Sequence, residues 1–194
     1  MKQLSYADLK QQQVVDTRAQ ADYQTGHLEQ SLNLNIGNFK KYALNFLKVE
    51  QPLVFVTGHD SKAERNKFCE VAKEHGFTTI EGFLPIEAAP VEKLIQTSLI
   101  SAKDFFTADG EFNLLDVRHP DEITRHAPEK NLVNIPLEKL ADSMDVLEPN
   151  KKIYTLCGSG NRGTTAASFL ANKGFQTTVI AGGMKAVEEL QNKL

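Results

Sequence analysis

Tyr154-Thr155-Leu156-Cys157-Gly158-Ser159-Gly160-Asn161-Arg162-Gly163-Thr164-Thr165 is the stretch from which the rest of the chain is read. The apolar run Ile153 to Leu156 predicts a short buried strand. It leads directly into a cysteine, a glycine-rich turn, Arg162, and a helical pattern from Gly163 to Lys173. A strand that passes through a tight loop into a helix is the repeating unit of a parallel α/β sheet. The unpartnered N–H groups and positive dipole end of such a helix favour negative charge, here a thiolate at Cys157. The same groups would hold an anionic substrate beside the sulfur. Gly158 and Gly160 can adopt the positive φ angles that turn successive N–H groups toward one point. Arg162 adds a cation after the four intervening residues Gly158-Ser159-Gly160-Asn161. This loop is the candidate active site.

Moving outward, the chain repeats itself. Asp16-Thr17-Arg18 matches Asp116-Val117-Arg118, Thr57-Gly58 matches Cys157-Gly158, and Ile80-Glu81-Gly82 matches Ile180-Ala181-Gly182, each at an offset of 100. Gly76-Phe77 against Gly174-Phe175 gives 98, so small gaps lie between the anchors. Two copies of one unit of roughly a hundred residues follow, a common domain size. In the first copy strands are expected at Val14–Asp16, Leu32–Ile36, Pro52–Val56 and Thr78–Ile80. Helices are expected at Tyr6–Gln11, Arg18–Gln24, Asn38–Val49 and Lys62–His75. In the second copy strands are expected at Leu114–Asp116, Leu132–Ile135, Ile153–Leu156 and Thr177–Ile180. Helices are expected at Ser101–Ala108, Pro120–Arg125, Leu137–Leu147, Gly163–Lys173 and Met184–Leu194. Leu84 to Ser98, with Pro85, Ala88, Ala89 and Pro90, breaks the pattern. The expectation is an α/β chain of two tandem domains, 1–90 and 98–194, each a mainly parallel sheet with helices on both faces. Ligands of such sheets bind beyond the carboxyl ends of the strands, where Cys157 is placed.

Bulk properties narrow the function. A hydrophobic content of 41% and a charged content of 24% over 194 residues describe an ordinary globular protein. A net charge of −3 gives no reason to expect nucleic acid or an anionic membrane as partner. No apolar run reaches the roughly 20 residues of a membrane helix, and residues 1–5 lead into polar sequence without the apolar core of a signal peptide. Cys69 and Cys157 are too few for a disulfide framework, which points to a cytoplasmic setting. Neither has a second cysteine or a spaced histidine nearby, so no metal is expected. Cys69, in a helix beside Phe68, reads as core packing. His27, His59, His119 and His126 read as structural or surface residues, and Asp16, Arg18, Asp116 and Arg118 as ion pairs that brace loops.

The Cys-x-x-Gly-x-Arg loop after an apolar strand resembles the active-site loop of rhodaneses, the thiosulfate and persulfide sulfurtransferases. Asp16-Thr17-Arg18, Asp22-Tyr23, Gly26-His27-Leu28 and Ser31-Leu32-Asn33 are similar to the opening signature of a rhodanese domain. Asp116-Val117-Arg118, Glu122 and Asn134-Ile135-Pro136-Leu137 repeat that signature. Gly174-Phe175 and Ile180-Ala181-Gly182-Gly183-Met184 resemble its closing strand and turn. The resemblance implies that Cys157 forms a persulfide and that Gly158, Ser159, Gly160, Asn161 and Arg162 bind the substrate, with no cofactor. Sulfane sulfur would pass from a small anionic donor, thiosulfate or a low-molecular-weight persulfide, to a thiol or cyanide.

The first copy departs from the pattern. Thr57-Gly58-His59-Asp60-Ser61-Lys62 occupies its loop; a threonine hydroxyl cannot form a persulfide, and Asp60 would repel an anionic donor. The first copy is expected to be inactive. This degenerate-plus-active order also resembles the C-terminal end of metallo-β-lactamase-fold persulfide dioxygenase fusions, which implies a fused or associated dioxygenase, or a sulfur-relay protein, as partner. The chain does not supply the metal-ligand histidines of such a dioxygenase. Two other readings stay open: a thiol phosphatase or arsenate reductase, whose loops place five residues between Cys and Arg, and a sulfur-carrier or docking module that uses the inactive copy.

Overall fold

A computed structural model describes residues 1–59 and 62–193. Asp60, whose carboxylate the sequence places in the first loop, lies outside the described residues. The chain divides into two units, Met1–Gln96 and Thr97–Leu194.

The first unit runs β1 (Gln13–Asp16), α1 (Gln20–Thr25), β2 (His27–Leu28), β3 (Leu32–Asn33), α2 (Ile36–Phe46), β4 (Leu53–Thr57), α3 (Lys62–Glu74) and β5 (Ile80–Pro85). Two single turns of 3₁₀ helix then lead to β6 (Leu94–Ile95). Its sheet has the order β3-β1-β4-β5, all parallel. The second unit runs β7 (Leu99–Ile100), α4 (Ala102–Phe106), β8 (Phe112–Asp116), β9 (Leu132–Asn134), α5 (Leu140–Ser143), β10 (Lys152–Leu156), α6 (Asn161–Ala171), β11 (Thr177–Ile180) and α7 (Gly183–Gln191). Its sheet has the order β7-β11-β10-β8-β9, again all parallel.

The central strands are buried along nearly their whole length, as strands covered on both faces must be. Leu53 to Val56 are fully buried in β4, and Ile153 to Leu156 are buried in β10. Side chains alternate between the two faces. Tyr154 and Leu156 face one side of the second sheet, where Ala102 and Phe105 of α4 and Met184 and Val187 of α7 pack on them. Thr155 faces the other side, where its hydroxyl donates to the Gly163 carbonyl in the first turn of α6 at 2.9 Å. In the first unit, Phe55 of β4 meets Phe39 of α2 and Phe68 of α3 at centroid distances of 5.8 and 5.6 Å. Val56 turns to the opposite face and joins Leu28, Leu84 and Ala89.

Local signals and tertiary pairing part company in several places, and the expected helix Tyr6–Gln11 shortens to one 3₁₀ turn, Tyr6–Asp8. First, the last strand of the first unit runs from Ile80 to Pro85 rather than from Thr78 to Ile80. Residues at the chain start pair along it: Leu4 donates to the Phe83 carbonyl and Phe83 to the Lys2 carbonyl. Gly82 permits this, because a Cβ there would lie 2.3 Å from the Lys2 oxygen. Second, β3 stops at Asn33, because Asn35 caps α2 by accepting from the Asn38 N–H at 3.1 Å. Third, Leu137–Leu147 is not one helix but α5 flanked by two 3₁₀ turns. Asp142, Ser143 and Asp145 supply the short polar side chains that compete with helical hydrogen bonds. Fourth, Pro120–Arg125 shortens to a single turn, Pro120–Glu122. Residues 91–96, placed between the domains by sequence, belong to the first unit, since β6 pairs antiparallel with β2. No helix among the described residues is long and apolar enough to cross a membrane.

Candidate active site

Cys157 follows the last residue of β10, which lies between β11 and β8, so the loop sits at the carboxyl edge of the second sheet. The residue is 1% exposed. Its sulfur accepts two N–H groups of its own loop, from Gly160 at 3.1 Å and from Gly163 at 3.3 Å. Gly160 makes this possible: at φ +94° it stands in the left-handed region and caps α6. Its carbonyl in turn accepts both the N–H and the hydroxyl of Thr164, each at 2.9 Å. The sulfur therefore rests on a loop amide and a helix-start amide, an arrangement suited to holding negative charge on sulfur. Of the other residues singled out by sequence, Gly158 is half-buried, Ser159 is exposed, and Asn161 and Arg162 form the half-buried start of α6.

Arg162 reaches a partner that the sequence did not connect to it. Its guanidinium forks onto the Glu122 carboxylate, with Nη1 on Oε1 and Nη2 on Oε2. The Arg162 fork and the His119 N–H, which donates to Glu122 Oε1 at 2.7 Å, hold the Glu122 carboxyl below the usual carboxylate range. This ties the loop exit to the segment after β8. The sequence singled out Glu122 only as part of a signature; the signal was present, but not its partner. A second missed contact lies behind the loop, where the first two side-chain-bearing residues of α7 donate backbone N–H groups to it. Met184 donates to the Cys157 carbonyl at 2.7 Å and Lys185 to the Gly158 carbonyl at 3.1 Å.

Beneath the loop stands a brace. Arg118 doubles back on Asp116, with Nη2 on Oδ2 at 2.7 Å, both side chains buried, and Asn134 donates to the carbonyls of Asp116 and Arg118. The first unit repeats it with Arg18, Asp16 and Asn33, also at 2.7 Å for the ion pair. At the position of Cys157 the first unit has Thr57, 2% exposed, with a hydroxyl that finds no hydrogen-bond partner among the described residues. His59 beyond it turns outward to Glu87 at 3.1 Å, and both side chains are exposed.

The rhodanese-like domain family matches the chain twice, over residues 2–83 and 101–190. YtwF of Bacillus subtilis (strain 168), provisionally named a sulfurtransferase, is 30% identical over 93 residues, covering 48% of this chain and 89% of YtwF. YrkF of the same organism, provisionally named a sulfur carrier protein, is 33% identical over 92 residues, 46% of this chain and 49% of YrkF. Among solved structures, a rhodanese-related protein from Thermoplasma volcanium is 31% identical, covering 48% of this chain and 92% of its own, with a TM-score of 0.45. The doubled match over most of the sequence, together with the doubled fold, places the chain in the rhodanese-like family as a tandem of two domains.

Proposed function

We propose that the protein is a sulfurtransferase that works through a Cys157 persulfide, with one active site per chain. The observation that carries this reading is the Cys157 sulfur, which accepts the amides of Gly160 and Gly163 at the start of α6. In the first half-reaction the Cys157 thiolate attacks the outer sulfur of thiosulfate. A Cys–S bond forms, the S–S bond of the donor breaks, and sulfite leaves with the bonding electron pair. A low-molecular-weight persulfide reacts in the same way and releases its thiolate. In the second half-reaction an acceptor thiolate or cyanide attacks the outer sulfur of the persulfide, and the Cys157 thiolate is returned. Charge moves between atoms near the same fixed amides, so no donor has to reorganise during either step.

The loop favours sulfur over phosphorus on two grounds. Four residues separate Cys157 and Arg162, where oxyanion-wrapping phosphatase loops have five. A nucleophile that is 1% exposed also suits a sulfur atom at the tip of a donor better than a phosphorus inside a shell of oxygens. The likeness to YrkF supports a protein thiol as one acceptor, with the first domain, which has Thr57 at the loop position, serving as a dock. A fused or associated persulfide dioxygenase is a further proposal for the partner.

The test is direct. Incubation with thiosulfate or glutathione persulfide should add the mass of one sulfur to the peptide carrying Cys157, and thiosulfate with cyanide should yield thiocyanate. Wild-type turnover by Cys157→Ser, or phosphatase turnover without a sulfur adduct, would overturn the reading.

A further inference from the structure

We infer that Gly183, with the first turn of α7, is the positioning element that holds the Cys157–Arg162 loop in its sulfur-binding form. This deepens the reading of Cys157 as nucleophile and rests on it.

Gly183 stands at φ +59°, pressed against the back of the loop. A Cβ at this position would lie 2.3 Å from the Cys157 carbonyl oxygen, 2.8 Å from the Gly160 nitrogen and 2.9 Å from the Ser159 nitrogen. All three are backbone atoms, so a side chain at 183 could be admitted only by moving the loop itself. One of them, the Gly160 nitrogen, donates to the Cys157 sulfur.

The contact also aims the loop. Met184 and Lys185 lie in the first turn of α7, where N–H groups have no partner within the helix. They donate to the carbonyls of Cys157 and Gly158. In a planar trans peptide the N–H points opposite to the C=O. Drawing these two carbonyls toward α7 therefore turns the N–H groups of Gly158 and Ser159 away from it. The helix is itself fixed, with Met184 2% exposed and Val187 fully buried in the core beside Leu156 and Ile180. In the first unit the sheet register puts Ile86 and Glu87 at this place, since Phe55 pairs with Phe83 where Thr155 pairs with Val179, and the chain there makes only a single 3₁₀ turn, Ile86–Ala88.

A glycine with positive φ could be needed for its turn alone, and the molecule contains the control. Gly174 has φ +88° in the same unit, and a Cβ there would meet nothing within 4 Å. Gly174→Ala therefore imposes left-handed strain without touching the loop, whereas Gly183→Ala imposes strain and displaces the loop. The experiment follows alkylation of Cys157 by iodoacetamide across pH, read on the Cys157 peptide by mass spectrometry, beside thermal unfolding of each full-length variant. Gly183→Ala should move the alkylation profile to higher pH and lower sulfur transfer by about 10²-fold, the scale of an ångström-sized misplacement. Gly174→Ala should leave both near wild type. If Gly183→Ala does not fold, Lys185→Pro decides. It deletes the amide that holds the Gly158 carbonyl, at a first-turn position that tolerates proline, and should shift the profile in the same direction by less. A Gly183→Ala protein that folds with an unshifted profile, or an unshifted profile in Lys185→Pro, overturns the inference. Because alkylation needs no sulfur donor, a shifted profile in a protein without sulfur transfer would support the positioning role while sinking the sulfurtransferase reading.

Discussion

The two units share a frame and differ at one end of it. Both place a parallel sheet between packed layers, and both brace the segment after one central strand, β1 in the first unit and β8 in the second, with the same device. Asp16 with Arg18 and Asp116 with Arg118 are each 2.7 Å apart, and Asn33 and Asn134 bridge the same pair of carbonyls. The difference lies at the carboxyl ends of the strands. There the second unit has a cysteine, an amide cradle and a helix that clamps the cradle from behind; the first has a threonine, and its last strand ends beside it at Pro85 and passes into a single 3₁₀ turn, Ile86–Ala88. The comparison teaches that this frame is maintained by its own energetics and does not depend on the site it carries.

The sharpest way to break the comparison is to move the nucleophile. Cys157→Ser should lower sulfur transfer by about 10⁶-fold, the scale of deleting a catalytic nucleophile. The double variant Thr57→Cys/Cys157→Ser should stay at that floor in a thiocyanate assay, since the first unit has only a single 3₁₀ turn, Ile86–Ala88, where α7 aims the cradle. Appreciable turnover by the double variant would show that the units differ in function by a single side chain.

The shared frame predicts a symmetric cost. Asp16→Ala and Asp116→Ala each leave a buried guanidinium without its carboxylate, and each should destabilise its own unit by about 3–5 kcal/mol in chemical denaturation. A large loss in one unit only would mean that the braces are alike in geometry but not in energy.

A smaller effect separates the units by pH. His27 stacks on Tyr23 at a centroid distance of 3.8 Å, its Nδ1 bonded to the Tyr23 carbonyl, and burial pushes its imidazole down to about 4. By the register of the positive-φ residues Gln30 and Asn131, the matching place in the second unit is Pro128, which does not titrate. The unfolded chain takes up the proton near 6.5 and the folded unit only near 4. Stability is thus complete above pH 6.5 and is lost as pH falls toward 4, on the order of 3 kcal/mol in all. Thermal melts over that window should show the first unit weakening ahead of the second, and His27→Gln should flatten the difference.

Much of this was legible in the sequence because it is local. The run Ile153 to Leu156 is buried throughout, and the turn Gly158-Ser159-Gly160 needs its glycine at Gly160, so strand, loop and helix start could be read in order. The repeat could be counted because its anchors are short and rigid. What escaped depends on residues far apart in the chain. Glu122 and Arg162 are separated by 40 positions, and Gly183 touches a loop more than twenty residues upstream. The anchor Gly82–Gly182 even proves a coincidence of letters, since in the sheet register Gly82 stands where Thr178 stands. Gly82 is glycine so that the Lys2 carbonyl can approach, whereas Gly182, at φ +75°, is glycine so that the chain can turn into α7. One letter in the alignment serves two physical needs.

Thr57 gives the difference between the units a consequence for stability. Its side chain is 2% exposed, and its hydroxyl has no hydrogen-bond partner among the described residues, at the place where the second unit rests a sulfur on two amides. A buried hydroxyl left without a partner costs about 1–3 kcal/mol. A valine there would remove the unpaired oxygen, so the silent half holds a reserve of stability that its own loop leaves unused.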